Sequence, residues 1–434
     1  MRAIALNWVI AGIGLIWVLV ALNSIVQSNT ISLLAGLVCL IIACQFFINK
    51  KASILILAVG ISGVIITAVL NDLTLMLDGM STAASLVAFV SSLYILRAII
   101  QTSPFIESVK TGLYGLQEKS QHGAIQLLGF SFSLPLAVGA VGVLGPLVYK
   151  IENEKSRFET ATWAIRGIGL AVVCSPFTVA MGTVTKTLEP DLSFLMLLSV
   201  AFIIAITSLS MPFLLRQSQF PNGLPSDFWR QTLRVFTPIF FLVIAVITIV
   251  NLTHFTAVTS ITILSPMLAI AVAFKRGRDA SFQMQSVISN GWSHVDREVA
   301  VFVSALIFAT ALAAHPMTNH ILNTTAHLFG PGVLIIFTVV GISVLSMLGI
   351  HMLITTTLFL TAFGPYMETE FQLALLGISG LIGWSFGSMV GIGSPAFVLS
   401  ARVFRADQKQ LAWGKNFKFM LLVIFIFSVF SYFS

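Results

Sequence analysis

Long apolar stretches recur from one end of this chain to the other. Runs such as Ala5 to Val26, Ile31 to Ile48 and Ser53 to Leu70 approach the length of about 20 residues that a helix needs to cross a bilayer. Of the 434 residues, 57% are apolar and 9% carry charge, whereas about 25% of the residues in a soluble domain are charged. The sequence therefore predicts an all-α, polytopic membrane protein with about 11 transmembrane helices.

The charge and cysteine content argue against several other classes of protein. The net charge of +7 is spread over many short loops and forms no continuous patch, so we expect no nucleic-acid partner. Cys39, Cys44 and Cys174 are odd in number and lie inside apolar runs, so no disulfide framework is expected. The histidines of the 315–327 stretch lack the spacing of a compact ligand pair, and we expect no metal site.

Lysine and arginine favour cytoplasmic loops, and this bias predicts the orientation of the chain. With Arg2 inside, the other basic residues stay inside only if two segments enter the membrane and return to the same face. These segments are a cytoplasmic re-entrant hairpin over 123–148 and an external one over 332–363. Lys186 then falls outside as the one exception among 23 basic residues. We expect a multi-pass protein of the cell membrane, or of the inner membrane in a Gram-negative cell, with a cytoplasmic amino terminus and an external carboxyl terminus.

Two hydrophobic segments are interrupted by proline or glycine, which is a strong sequence indication of a transporter binding site. Ser175-Pro176 interrupts one predicted crossing, and Gly393-Ser394-Pro395 interrupts another, with 219 residues between the two prolines, Pro395 minus Pro176. Proline removes a backbone donor, and glycine lets another backbone approach closely. Two opposed half-helix ends can therefore present carbonyl groups to a cation and amide groups to an anion.

These features divide the chain into an amino-terminal helix pair and two repeats of opposite orientation, an inverted repeat. The predicted parts are residues 1–50 for the helix pair, 51–229 for the first repeat with a broken helix over 162–188, and 230–434 for the second repeat with a broken helix over 371–400.

The hairpin tips, predicted at 129–135 and 346–355, and the two breaks together form the candidate site. Its predicted ligand is a small-molecule solute, with a coupling ion beside it. For the solute, we expect contacts with Ser131, Ser133, Pro135, Thr178, His351 and Thr355. For the ion, we expect contacts with Ser175, Pro176, Gly349, Gly393, Ser394 and Pro395.

Sodium is the expected coupling ion, because it needs only oxygen ligands and hydroxyl and carbonyl groups supply them. All 16 acidic residues fall in loops or at helix ends, which leaves no intramembrane carboxylate relay for protons. His351 keeps a proton-coupled carrier or an exporter open as an alternative, because imidazole titrates near neutral pH. Arg166, in the first broken helix, is interpreted as an arginine that snorkels to the interface, with attraction of an anion from the cytoplasm as the alternative role.

A membrane-embedded enzyme is the alternative from another class. Its chemistry requires a base near a nucleophile or a metal, and the apolar runs contain almost no acid or base groups. We therefore expect no enzymatic activity and no cofactor other than the coupling ion.

The order of these parts resembles the ion transporter superfamily, in particular its divalent-anion/sodium symporters. The resemblance covers the chain from about residue 53 to the end, and it implies a homodimer in the lipid membrane and an elevator-like movement of the half that carries the hairpins. Hairpin tips in that family often carry Ser-Asn-Thr, where this chain has Ser131-Phe132-Ser133 and Gly349-Ile350-His351. The missing asparagines weaken the expectation of a dicarboxylate. The scarcity of arginine favours a small organic monoanion or a zwitterion.

Overall fold

The computed structural model describes residues 2–49, 54–102, 118–149, 151, 153–220, 226–392 and 394–434. All regular elements within these ranges are helices. Ten of the helical segments are long and apolar enough to cross a membrane by length and composition. The chain is a helical, polytopic membrane protein, which confirms the fold class that the apolar runs predicted.

Several helices in the first half of the chain begin at a polar side chain that caps them. Asp72 accepts a hydrogen bond from Thr74 N at 2.9 Å, and Ser193 accepts one from Met196 N at 3.5 Å. Such caps satisfy backbone donors that the first helical turn leaves free. The helices described before residue 220 are α1 (Arg2–Val26), α2 (Asn29–Asn49), α3 (Ile54–Leu70), α4 (Leu73–Gln101), α5 (Glu118–Leu136), α6 (Ala140–Tyr149), α7 (Glu154–Cys174), α8 (Val179–Leu188) and α9 (Phe194–Leu214), with a 3-10 turn at Ala137–Gly139.

The second half follows the same pattern of capped helices. Thr369 accepts a hydrogen bond from Gln372 N at 3.1 Å, and Asp407 accepts one from Gln410 N at 2.8 Å. The helices described from residue 226 onward are α10 (Ser226–Leu252), α11 (Ala257–Arg276), α12 (Arg278–Trp292), α13 (Asp296–Ala314), α14 (Pro316–Leu328), α15 (Pro331–Met347), α16 (Met352–Phe363), α17 (Glu370–Val390), α18 (Pro395–Phe404), α19 (Gln408–Ala412) and α20 (Lys415–Tyr432), with a 3-10 turn at Gly364–Tyr366.

Helices α1 to α4 pack with α11, α12 and α13 into one group. Trp17 Nε1 donates to Thr262 O at 3.1 Å and thereby joins α1 to α11. Helices α3 and α13 approach so closely at Gly63 that an added Cβ would lie 2.7 Å from Phe308 N. Small residues commonly allow such close approach between membrane helices.

The first hairpin, formed by α5 and α6, lies beside the broken helix formed by α7 and α8. At Gly167 of α7, an added Cβ would lie 2.1 Å from Gln126 O of α5. Further along both helices, the Ser175 hydroxyl that follows α7 donates to Leu134 O. The residue numbers of both helices increase from the first contact to the second. Helices α5 and α7 therefore run parallel to each other.

The second hairpin, formed by α15 and α16, contacts the broken helix of α17 and α18 in the same way. At Gly383 of α17, an added Cβ would lie 2.8 Å from the Cβ atom of Ile342. Further along, a Cβ on Gly387 would lie 3.0 Å from the Cβ atom of Ser346. Helices α15 and α17 therefore also run parallel.

The two broken helices have equal segment lengths and a constant separation in the sequence. Helices α7 and α17 have 21 residues each, and α8 and α18 have 10 each. Val390 minus Cys174 and Pro395 minus Val179 both give 216. The separation of 219 predicted from the prolines is wrong, because Pro176 lies inside the first break whereas Pro395 is the first residue of α18, a position that favours proline.

Some predicted boundaries were wrong for local reasons. The first broken helix begins at Glu154 and not at residue 162, because Asn153 caps it by accepting from Lys155 N at 3.0 Å. The first hairpin turns at residues 137–139, beyond the predicted tip at 129–135. Gly129 serves close packing, since an added Cβ would lie 2.8 Å from Ala164 O.

Helix α12 lies in a segment for which the apolar runs predict no helix. Helix α12 spans Arg278 to Trp292, and Trp292 Nε1 donates to Ser91 O of α4 at 3.0 Å. Its Met284 side chain is buried while most of its neighbours are exposed. This contact with α4 gives a polar segment a packing surface that composition alone does not reveal.

Candidate functional site

The first break is held by the hydroxyl groups of Ser175 and Thr178. Ser175 Oγ donates to Leu134 O at the end of α5 and accepts a hydrogen bond from Phe177 N at 3.1 Å. Thr178 Oγ1 donates to Ser175 O at 3.1 Å and accepts from Met181 N at 3.2 Å, so it caps α8. The side chains of the break, including Pro176, are buried. One serine thus connects a hairpin tip to a broken helix.

The first hairpin places its three predicted residues on α5 and not in the turn. Ser131 is half-buried, whereas Ser133 and Pro135 are buried. Ser133 Oγ has no hydrogen-bond partner among the described residues. A buried hydroxyl without a partner is uncommon in native proteins and indicates room for a water, an ion or a ligand atom.

At the second hairpin tip, helix α15 ends and helix α16 begins within a few residues. Gly349 has a φ angle of 87°, in the left-handed region that favours glycine, and Ile350 N donates back to Leu345 O at 3.0 Å. His351 then caps α16, because its Nδ1 accepts from Leu353 N at 3.2 Å. Thr355 Oγ1 donates to Met352 O at 3.2 Å within the same helix.

The second tip lies against α17 through aromatic and apolar contacts. The His351 ring meets the Trp384 ring edge to face, with 6.3 Å between the ring centroids. Gly387 provides space for the Met352 side chain, whose sulfur atom would lie 2.2 Å from an added Cβ. The buried hydroxyl of Thr356 has no partner within the part of the chain that the structure describes. The sequence analysis did not single out Thr356 or Trp384.

The second break is described through the contacts of Ser394. Ser394 N donates to Gly391 O at 2.9 Å, and Ser394 Oγ accepts from Phe397 N at 3.5 Å to cap α18. Pro395 is the first residue of α18. Gly393, which was also predicted to bind the ion, lies outside the described residues.

The predicted residues therefore form two clusters, one at each hairpin and break. Among the described residues, the structure gives no hydrogen bond from one cluster to the other. The two broken helices do touch each other, because Ser385 Oγ of α17 donates to Gly169 O of α7 at 2.8 Å. Ser385 minus Gly169 is again 216, so residues at equivalent positions of the two halves contact each other.

A polar cluster beside the first hairpin was not predicted. Arg97 Nε of α4 donates to Leu136 O at 3.1 Å, and its guanidinium lies 4.5 Å from the centre of the Tyr94 ring. Tyr94 in turn donates to Glu298 Oε1 of α13 at 3.1 Å. Glu298 Oε2 is buried and has no partner among the described side chains and backbone groups. An arginine and a tyrosine inside an apolar run were the sequence feature that could have indicated this cluster.

The interpretation of Arg166 as a snorkelling residue is wrong. Its side chain is 2% exposed, and its Nε donates to Asn416 Oδ1 of α20 at 3.0 Å. The guanidinium lies 4.4 Å from the ring centres of both Trp163 and Phe419. Asn416 Nδ2 also donates to Thr162 O at 3.0 Å. This cation between two aromatic rings joins α7 to α20.

No protein-family model and no curated protein matches the sequence. Among solved structures, the chain is similar to the YdaH transporter of Alcanivorax borkumensis, a structure described as revealing an unusual topology. That likeness has a TM-score of 0.48 and 13% sequence identity, and it covers 83% of this chain and 87% of the other.

Proposed function

We propose that this protein is a secondary active transporter that moves a small organic anion or zwitterion across the cell membrane and is driven by sodium. The observation that carries this proposal is the bond from Ser175, in the first helix break, to Leu134 at the end of the first hairpin helix. Irregular backbone at membrane depth is tolerated where it is buried in protein or lines a cavity, and in carriers it binds solutes and ions.

The helix ends at the two breaks suit a cation. Helix α7 ends at Cys174 and α17 ends at Val390, and the last carbonyl groups of a helix have no partner within it. These ends also carry the negative pole of the helix dipole. The hydroxyls of Ser133 and Ser175 add oxygen ligands at the first end, so Ser175, Pro176, Ser133 and the nearby carbonyls are the proposed sodium site.

The same breaks suit an anion at the opposite helix ends. Helices α8 and α18 begin there with their amide groups pointing along the helix axis, and Thr178 and Ser394 cap them. The His351 ring lies against Trp384 of α17, the helix that precedes the second break. We therefore assign the solute's anionic group to these amino-terminal ends.

The proposed mechanism uses two halves of opposite orientation. The constant separation of 216 residues and the contact of Ser385 with Gly169 support an inverted repeat about an axis near that contact. A site at such a repeat interface can be exposed to either side by movement of one half against the other. We propose an orientation with the amino terminus in the cytoplasm, and a homodimer in lipid.

Proton coupling is the second candidate mechanism. Glu298 is a better candidate than His351 for the residue that carries the proton. The Glu298 carboxylate is buried next to Tyr94, and buried carboxyl groups within membrane segments commonly carry protons. His351 Nδ1 is occupied as a helix cap, which is a structural role. Glu298 is thus a possible proton carrier beside the first hairpin that the sequence analysis did not anticipate.

The test of sodium coupling does not require knowledge of the solute. We expect radioactive sodium to bind the purified protein in a saturable way, and Ser175→Ala to weaken that binding by about tenfold. Ser281→Ala, in α12 and away from both breaks, is the matched control and should bind as the wild type does. Unchanged sodium binding in Ser175→Ala would remove the proposed ion site.

A second experiment separates the driving ions and the other function classes. Protein reconstituted in liposomes on an electrode is screened with small carboxylates and amino acids under a sodium gradient or a pH gradient. Currents that need sodium support the symporter, whereas currents that need only the pH gradient and vanish in Glu298→Gln support proton coupling. Chemical conversion of a solute without any gradient would contradict a carrier and support an enzyme.

A further inference from the structure

A polar cavity of about 190 Å³ lies at the end of α8, away from both helix breaks. Its walls come from α1, α2, α4, α8 and α11 and from the connection between α10 and α11. Asn23, Ser32, Ser81, Lys186, His254 and Thr259 lie on different walls and all face it. The proposed topology places this end of α8 at the external face.

Several hydroxyl groups of the cavity wall are held in place by hydrogen bonds within the protein. Ser32 and Ser81 share a hydrogen bond between their hydroxyl groups, and Ser85 Oγ donates to Ser81 O at 3.2 Å. On the opposite wall, Thr256 Oγ1 donates to Thr259 Oγ1 at 3.0 Å. A polar recess in a chain this apolar is costly to bury without a ligand or water, because each polar group needs a partner.

Lys186 is the cation of the cavity. It lies half-buried in the last turn of α8. Among the described residues, no hydrogen bond and no ion pair within 4.0 Å holds its ammonium group, although the group is near Glu189. Lys186 is also the one basic residue that the charge bias assigns to the external side, so membrane orientation does not explain it.

The charge and the size of the cavity restrict its ligand. A volume of about 190 Å³ is below the range of about 300 to 1,000 Å³ that holds drug-sized ligands, so a small solute fits it. One ammonium group with surrounding hydroxyl and amide donors matches a single carboxylate. Helix α8 connects this cavity to the first break, because Lys186 follows Thr178 by eight residues, about 12 Å along the helix at ~1.5 Å per residue.

We propose that this cavity is an external binding site for a small monocarboxylate, in which Lys186 pairs with the carboxylate group, while the Thr259 hydroxyl, one hydroxyl of the Ser32 and Ser81 pair and the Asn23 side-chain amide donate to it. This inference deepens the proposed function and rests on it for the external orientation and for the passage of the solute towards the break.

Glu189 makes the site pH-dependent. Burial raises the pKa of Glu189 to about 7, while Lys186 and the backbone amide of Ala257 oppose the rise. Below about pH 7 the carboxyl group is neutral and Lys186 is available to a ligand, whereas above it the carboxylate competes for Lys186. The titratable groups that line the cavity are Lys186 and His254. Glu189 lies outside this lining but interacts electrostatically with Lys186. Binding should therefore weaken as the pH rises through 7 and should vary less in Glu189→Gln.

Lys186 has a competing structural role as a cation at the carboxyl end of α8. The test must therefore detect a ligand on this residue itself. We measure the rate at which a membrane-impermeant acetylating reagent labels Lys186 in the full-length protein, with propionate as the probe, by peptide mass spectrometry. Lys275 and Lys409 are not among the residues that line the cavity, and they serve as internal references in the same digest.

Propionate is expected to slow the labelling of Lys186 in a saturable way and to leave Lys275 and Lys409 unchanged. Ser81→Ala and Asn23→Ala should weaken this protection, and labelling of right-side-out vesicles should reach Lys186. No protection, or equal protection of all three lysines, would overturn the proposal. Protection in a protein that carries no solute current would support the site while contradicting the transporter, so the two failures are distinguishable.

Discussion

The two broken helices have the same segment lengths but different chemistry. Ser175 of the first break corresponds to Gly391 of the second, since 391 minus 175 is 216. The Ser175 hydroxyl bonds the neighbouring hairpin, and Gly391 has no side chain with which to do so. Similarly, the buried Arg166 of α7 corresponds to Ile382 of α17, which is also buried. The same backbone architecture is therefore stabilised by polar contacts in one half and by apolar packing in the other.

A shared helix pattern therefore does not imply a shared role for its side chains. The first hairpin is attached to its break by a directional hydrogen bond. The second is attached by the Trp384 ring against His351 and by the Met352 side chain against Gly387. We expect the free energy needed to separate a hairpin tip from its neighbouring helix to differ between the two halves.

The largest loss of stability is expected where a glycine packs directly against the backbone of another helix. In Gly167→Ala the added Cβ would lie 2.1 Å from Gln126 O, a backbone atom that cannot move alone, so loss of folding or more than ~3 kcal/mol of stability is expected. In Gly383→Ala the neighbour at 2.8 Å is the Ile342 side chain, and a loss of ~1 to 3 kcal/mol in stability is expected. Thermal unfolding in detergent measures both.

Gly142→Ala is the matched control, because among the described residues no atom beyond the glycine's own helical turns lies within 4 Å of an added Cβ there. Its melting temperature should equal that of the wild type or exceed it. Equal losses in Gly167→Ala and Gly383→Ala would contradict the difference between the two hairpin contacts.

The next effect concerns the buried cation of α7. Asn416→Ala leaves the Arg166 guanidinium without its hydrogen-bond partner, and the expected loss is ~3 kcal/mol or more, because an unpaired buried charge is costly. Arg166→Met, which makes this position resemble Ile382, should cost less. Melting temperatures of the two variants decide the order, and a larger loss in Arg166→Met would show that the cation itself stabilises the fold.

A smaller effect is expected from the hydroxyl groups of the breaks. Ser175→Ala removes the bond to Leu134 and should cost ~1 to 3 kcal/mol, whereas Ser394→Ala removes a helix cap and should cost ~0.5 to 2 kcal/mol. Hydrogen exchange gives the sharper measurement. In the wild type, amides of residues 345–352 should exchange faster than those of 133–140, and Ser175→Ala alone should abolish this difference.

The smallest effect is expected at the surface. Lys415 Nζ lies 3.2 Å from Glu159 Oε1, with the side chains 60% and 26% exposed. Such pairs contribute about 0 to 1 kcal/mol and weaken with added salt. Lys415→Ala should therefore shift the melting temperature slightly, and the shift should vanish at high salt. A loss comparable to that of Asn416→Ala would mean that this pair, and not Arg166, joins α7 to α20.

The sequence determined the helical membrane architecture, because a bilayer requires long apolar runs and each run is visible in the chain. It also indicated helix interruptions near Pro176 and Gly349, since these residues act through their own backbone, whereas the re-entrant insertion of the two hairpins stays a prediction. It did not determine the correct correspondence between the halves, because prolines at nonequivalent positions can be mistaken for a match.

Only the tertiary structure decided which polar groups meet. The Ser175 bond to Leu134, the burial of Glu298 beside Tyr94 and the cavity around Lys186 all join residues that are far apart in the sequence. Their positions depend on how helices pack, and packing is set by the summed shape of many apolar side chains and small residues. Local sequence patterns do not contain that sum, so these contacts could not be predicted from them.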